Sequence, residues 1–134
     1  MTIVREAMVA APTTLDAQAT AAEAGEHLAQ PDVRAVLVCQ EGRLVGVITR
    51  TTLVREVVAT GRDPRSTPLG EIAEPPRFTI DADMPVDEAF RLLEDHDLER
   101  VPVVEGGRLV GVLSRSVLQR RLAEDEPLPD SAEV

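Results

Sequence analysis

Apolar residues recur along the chain in two rhythms. Val86, Ala89, Phe90 and Leu93 fall at i, i+3, i+4 and i+7, which predicts one face of a helix. Pro85 suits the first turn of that helix, and Asp87 and Glu88 sit where the helix dipole favours negative charge. The same spacing upstream gives Ala21, Ala24, Gly25 and Leu28, a thinner stripe that Gly25 weakens. Each helix follows a short extended stretch, PTTLDA at 12–17 or RFTIDA at 77–82. Beyond the helices the rhythm shortens. Runs at Val33–Cys39 and Arg43–Thr49 flank Gln40-Glu41-Gly42, and runs at Arg100–Val104 and Arg108–Ser114 flank Glu105-Gly106-Gly107. Apolar runs around a glycine turn predict two hairpins. A helical pattern closes each half: Leu53 falls with Val57 and Leu118 with Leu122, and Gly61 suits the stop of the first. Each half therefore reads β-α-β-β-α.

The two halves are one unit written twice. GRLVGVITRTTLVR at 42–55 returns as GRLVGVLSRSVLQR at 107–120, and at this offset of 65 the alignment runs without a gap from Val4/Leu69 to Arg55/Arg120, with 19 identities in 52 positions. Residues 56–68 connect the copies. The stretch RDPRSTPLGEIAEPP at 62–76 reads as a linker around a short helical piece, Leu69–Ala73, whose counterpart Val4–Met8 begins the first copy. The end of the chain, DEPLPDSAEV, is acidic and proline-bearing and is expected to be disordered.

Composition narrows the class. The 134 residues suffice for one core, and a repeat of about 55 residues is marginal alone, so a core shared by the halves is expected. That core must be aliphatic, because Phe78 and Phe90 are the only aromatic residues. A net charge of −10 argues against nucleic acid or an anionic membrane as partner. The N-terminal MTIVREAMVAAP has neither the apolar run of a membrane span nor that of a signal peptide. The single cysteine makes no internal disulfide and fits a reducing cytoplasm, where the protein is expected.

The duplicated unit, with Glu99-Arg100-Val101-Pro102-Val103-Val104 before a glycine turn and then Arg108–Ser114, resembles the CBS-domain family, named after cystathionine β-synthase. The resemblance covers residues 4 to about 124 and implies an α/β (α+β) fold. Repeat one is expected at 4–60, a linker at 61–68, repeat two at 69–124, and the acidic tail at 125–134. It further implies a Bateman module, two CBS units packed about a pseudo-two-fold axis and often dimerised. Such modules bind AMP, ADP, ATP or S-adenosylmethionine in clefts between the units and act as sensors, not enzymes.

The family's binding signature is G-h-h-T/S-x-x-D, in which the hydroxyl and nearby backbone meet phosphate or ribose and the Asp accepts from the ribose hydroxyls. A carboxylate suits a vicinal diol because it offers only acceptors. Here the copies read Gly46-Val47-Ile48-Thr49-Arg50-Thr51-Thr52 and Gly111-Val112-Leu113-Ser114-Arg115-Ser116-Val117, so Thr52 and Val117 replace the Asp. Thr52 retains one hydroxyl for a ribose; Val117 offers nothing. Losing a charge-assisted bond costs about 1.5–3 kcal/mol, which weakens the expectation of nucleotide binding. By the family's arrangement one cleft uses Thr13, Val33 and Arg34 with Ser114, Arg115 and Ser116. The other uses Phe78, Leu98 and Glu99 with Thr49, Arg50, Thr51 and Thr52. Arg34 favours phosphate in the first, and Glu99 disfavours it in the second.

Each candidate also has a plain structural role. Thr49 and Ser114 suit helix caps, Arg50 and Arg115 suit solvated surface, and Gly46 and Gly111 suit a close backbone passage. His27 and His96 have no second ligand at metal spacing, and Cys39 has no basic neighbour to activate it, so neither a metal site nor a reactive thiol is expected. No catalytic constellation is present and no cofactor is required. Two functions follow. The first is a stand-alone regulatory module, a homodimer that senses an adenosine-containing ligand and signals to a separate protein partner. The alternative is a protein-interaction or dimerisation module whose clefts no longer bind.

Overall fold

The two rhythms resolve into thirteen short elements in a computed structural model, which describes residues 2–10 and 13–125. In chain order they are α1 (Val4–Ala7), β1 (Val9–Ala10), β2 (Thr14–Asp16), α2 (Ala21–Leu28), β3 (Val36–Gln40), β4 (Arg43–Ile48), α3 (Arg50–Leu53), α4 (Leu69–Ile72), β5 (Ile80–Asp81), α5 (Val86–Asp95), β6 (Arg100–Glu105), β7 (Arg108–Ser114) and α6 (Arg115–Asp125). α3 runs on into a wider π-helical stretch, Val54–Val58, and Gly61, at φ 75°, stands just beyond it. Pro85 stands at the cap of α5, one residue ahead of its first turn. Residues 33–35, expected to open a strand, precede β3 as irregular chain. The expected disordered tail lies outside the described residues beyond Asp125, which still belongs to α6.

Two compact units form. A middle unit holds Ala11–Arg77 with Gly106–Leu109, and a terminal unit holds Met1–Ala10, Phe78–Glu105 and Val110–Val134. In the middle unit β2 runs parallel to β3, with Thr14 opposite Leu37, and β3 runs antiparallel to β4, with Val36 opposite Ile48. The β3–β4 turn, Glu41-Gly42, has φ 53° and 81°, the left-handed pair of a two-residue hairpin loop. Ala21, Ala24 and Leu28 of α2 bury against Val36, Val38 and Ile48, with Val57, Leu69 and Ile72 completing the core. The small α2 stripe is thus a core face, and Gly25 lies close enough to Leu53 that a Cβ would sit 3.9 Å from its Cδ1.

The terminal unit repeats this plan. β5 is parallel to β6, β6 neighbours β7, and β1 pairs antiparallel with β7, Val9 opposite Val112. Its core joins Val4 and Ala7 of α1 to Ile80, Val86, Ala89, Leu93, Val101, Val103, Leu113 and Leu118. No aromatic side chain is fully buried in either core.

The units do not follow the repeat in sequence. α1, which opens the first copy, belongs to the terminal unit with the second copy's strands, and α4, which opens the second copy, belongs to the middle unit. Matching hydrogen bonds hold both. Val4 N–H donates to Met84 O at 2.9 Å and Arg5 N–H to Ala82 O at 2.9 Å; 65 residues on, Leu69 N–H donates to Ala19 O and Gly70 N–H to Ala17 O, both at 2.8 Å. The expected linker is anchored as well. Ala21 N–H donates to Thr67 O at 2.9 Å, and the buried Thr67 hydroxyl donates to Asp63 O at 2.8 Å.

After each exchanged helix the chain crosses a glycine. Residues 73–74 lie along β4, where Val47 and Glu74 trade N–H···O bonds of 2.8 and 3.0 Å. A Cβ on Gly46 would stand 2.5 Å from the Ala73 Cβ, and one on Gly111 would stand 2.8 Å from Val9 O. Glycine is required at both because a methyl group would occupy the path of the crossing chain. Gly46→Ala is therefore expected to destabilise by about 1–3 kcal/mol. Circular dichroism should register this as a midpoint several degrees lower, and an unchanged midpoint would show that residues 73–74 yield freely.

Candidate functional site

In the middle unit, β4 ends at Ile48 and Thr49 caps α3. Thr49 Oγ1 accepts from Thr52 N–H at 3.2 Å, and Thr52 Oγ1 accepts from Thr49 N–H at 3.1 Å, a reciprocal capping box. The two hydroxyls are also 3.0 Å apart, and Thr52 Oγ1 donates to Glu74 Oε1 at 3.2 Å. A hydroxyl has one hydrogen, so Thr49 donates to Thr52 and Thr52 to Glu74. Arg55 pairs with the same Glu74 oxygen. Thr52 is 1% exposed. Its hydroxyl, expected to face a ribose, is already fully engaged within the unit.

Around this turn Thr13, Arg34, Arg50 and Thr51 are exposed and Val33 is half-buried. Arg50 donates through Nη2 to Gln30 O at 2.9 Å and to Val33 O at 2.8 Å. It is thereby tied to a residue expected in the other cleft. Both acceptors are neutral carbonyls, so the guanidinium keeps its charge unpaired by any carboxylate among the described residues. Thr13 O accepts from Leu37 N–H at 3.3 Å, which continues the β2–β3 pairing.

The terminal unit carries the equivalent turn with fewer hydroxyls. Ser114 Oγ accepts from Val117 N–H at 3.2 Å and lies 3.5 Å from Ser116 Oγ; Val117 has no hydroxyl to complete a box. Ser116 is exposed. Arg115 N–H donates to Glu99 O at 2.8 Å, and its guanidinium is 3.5 Å from the carboxylates of both Asp97 and Glu99. The arginines of the two turns therefore differ: Arg50 rests on carbonyls and Arg115 on acids. Leu98 packs against the core of this unit, and the Phe78 ring lies 4.2 Å from that of His96.

Other candidates stay apart from the turns. Burial, and secondarily the Asp16 carboxylate, raise the pKa of the Cys39 thiol, which keeps it protonated near neutral pH. Among the described residues no three His, Cys, Asp or Glu side chains form a group suited to a metal ion. No helix there is long and apolar enough to cross a membrane.

Comparison with known proteins bears on the family and the fold. The family model for the CBS domain matches twice, at residues 4–59 and 69–124. The chain belongs to the CBS-domain family. It is 31% identical over 125 residues to hypoxic response protein 1 of Mycobacterium tuberculosis, covering 92% of this chain and 87% of that one. The crystal structure of hypoxic response protein I with two coordinated zinc ions superposes with a TM-score of 0.76 at 30% identity, over 90% of this chain and 99% of the other. CBSX2 in complex with AMP shares the fold, with a TM-score of 0.72 at 21% identity over 91% and 96% of the two chains.

As a tandem CBS pair the chain has the mixed α/β architecture of its neighbours, and no catalytic family is indicated. Sequence reasoning missed Glu74, the residue that receives Thr52 and Arg55. It lies 22 residues from Thr52, and the alignment of the copies sets it opposite Val9, so no spacing or motif marks it. The two caps carry a prediction. Loss of a hydroxyl cap costs about 0.5–2 kcal/mol, with the larger value expected where the bonds are reciprocal. Thr49→Ala should therefore lower the urea midpoint more than Ser114→Ala does, and equal losses would mean that the first capping box adds nothing.

Proposed function

We propose that this CBS pair is a regulatory module that binds an adenosine-containing ligand, such as AMP, ADP, ATP or S-adenosylmethionine, and passes the binding event to a protein partner. The observation that carries this reading is the hydroxyl-bearing turn at the end of β4 and of β7, Thr49–Thr52 and Ser114–Ser116, each with an arginine at its second position. Arg34 supports it: the side chain is exposed and makes no hydrogen bond or ion pair among the described residues, which leaves its guanidinium available to a phosphate. The AMP complex of CBSX2 gives an example of such a ligand on the same fold. The residues assigned to binding are Thr13, Val33, Arg34, Thr49, Arg50 and Thr51 of the middle unit and Phe78, Leu98, Glu99, Ser114, Arg115 and Ser116 of the terminal unit, while Thr52 is taken up by Thr49 and Glu74.

A thermal-unfolding panel with these four ligands, followed by circular dichroism, tests the proposal. A ligand at 100 times its dissociation constant adds about 2.7 kcal/mol, a rise of several degrees for this length. Arg34→Ala should remove most of the rise given by the phosphate-bearing ligands. No rise at millimolar ligand ends the sensing reading.

A second reading, an interaction or dimerisation module that binds no small molecule, is favoured by a different observation. Val54 and Val58, four apart on the π-helical stretch, are 58% and 72% exposed. We propose a homodimer under either reading. Sedimentation equilibrium at micromolar concentration should give twice the chain mass, and a single-chain mass rejects the dimer.

A further inference from the structure

The Glu74 carboxylate is held firmly at one oxygen and left open at the other. Oε1 accepts from Thr52 Oγ1 and pairs with Arg55, while Oε2 accepts no hydrogen bond among the described residues. The side chain is 47% exposed, so the open oxygen is reachable. Its backbone is fixed too, by the two hydrogen bonds to Val47 across the Gly46 passage. The exposed Thr51 hydroxyl and the half-buried Thr49 stand on the turn beside it. A fixed carboxylate with free lone pairs, set among hydroxyls, is an acceptor suited to a ligand that offers two adjacent O–H donors.

The equivalent place in the terminal unit keeps the arginine and the Ser114 and Ser116 hydroxyls but lacks the carboxylate and the hydroxyl it bonds. At the offset of 65, Glu74 corresponds to Val9, Thr52 to Val117 and Arg55 to Arg120. Val9 lies along β7 as Glu74 lies along β4, and it is 59% exposed. The backbone plan is the same and the chemistry differs. A carboxylate bonded to a hydroxyl of the turn exists in the middle unit and not at its counterpart, whose acids, Asp97 and Glu99, lie on Arg115.

We infer that Glu74 is the specificity-determining acceptor for the vicinal hydroxyls of the ligand's ribose, supplying from the chain between the repeats the carboxylate that the turn itself lacks at Thr52. This rests on the adenosine-binding reading and deepens it, by assigning the ribose to one turn only.

The test is calorimetric titration of the full chain with AMP, ADP and ATP, each against its 2′,3′-dideoxy counterpart. For a nucleotide that binds, removing the diol should weaken the wild type about 10- to 100-fold, the worth of hydrogen bonds to a charged acceptor. Glu74→Ala should bind both forms equally, at the level of the wild type with the dideoxy form. Thr52→Asp in that background should restore the preference, a rescue that a merely structural Glu74 would not permit. Should Glu74→Ala fail to fold by circular dichroism, Glu74→Gln keeps the shape without the charge and should lose about tenfold of the preference. A folded Glu74 variant that still prefers the diol overturns the inference. So does a wild type that binds nucleotide without preferring the diol, which leaves the sensing proposal standing. Failure of every nucleotide to bind the wild type overturns the inference and leaves the sensing proposal to S-adenosylmethionine alone.

Discussion

The close passage of one backbone over another at Gly46 and Gly111 sets the terms for the rest of the structure. At each glycine the chain that follows a short helix lies against a strand of the other copy, near enough that a methyl group would collide with it. That contact brings α4 into the middle core and α1 into the terminal core, and it delivers Leu69, Ile72, Val4 and Ala7 as buried residues. It also fixes where Glu74 can reach. Held to Val47 on both sides of its peptide, Glu74 places its carboxylate beside Thr52, with Arg55 closing the group. Remove the passage and both the core and this polar corner lose their footing.

The copies have kept the geometry of this arrangement and let its chemistry diverge. Hydrogen bonds such as Val4 to Met84 and Leu69 to Ala19 recur at the same offset that relates the sequences. The side chains around the turns do not recur. A buried threonine box stands against a lone serine cap, a carboxylate against a valine, and an arginine resting on carbonyls against one resting on acids. Backbone contacts tolerate changes in exposed side chains because they depend on glycine and on burial alone, so the surface is free to specialise.

Periodicity and the repeat made most of the fold legible. The stripe Val86, Ala89, Phe90 and Leu93 became α5, the glycine turns became hairpins, and the pieces at Val4–Met8 and Leu69–Ala73 became α1 and α4. The caps at Thr49 and Ser114 were legible because capping is local. What stayed hidden was non-local. Two residues, Val9 and Ala10, carry no strand signal of their own and become β1 only because β7 offers an edge. The engagement of Thr52 was likewise hidden, since nothing in Thr-Arg-Thr-Thr announces a glutamate arriving from residue 74. Nor could the pattern say which copy each opening helix joins, because an exact offset describes the swapped and unswapped arrangements equally well.

That exchange shifts the boundary of the folded module away from the boundary of the duplicated text. A nick within residues 61–68, between the sequence repeats, would strand α4 on the wrong fragment and leave the core around Ala24 and Val36 without Leu69 and Ile72. A nick after Arg77 would instead free a piece that carries nearly all of one unit, while its counterpart would need the first ten residues supplied from the other end of the chain. In the language of permuted genes, the unit that folds is the repeat read in a rotated frame, opened by the strands of one copy and closed by the first helix of the other.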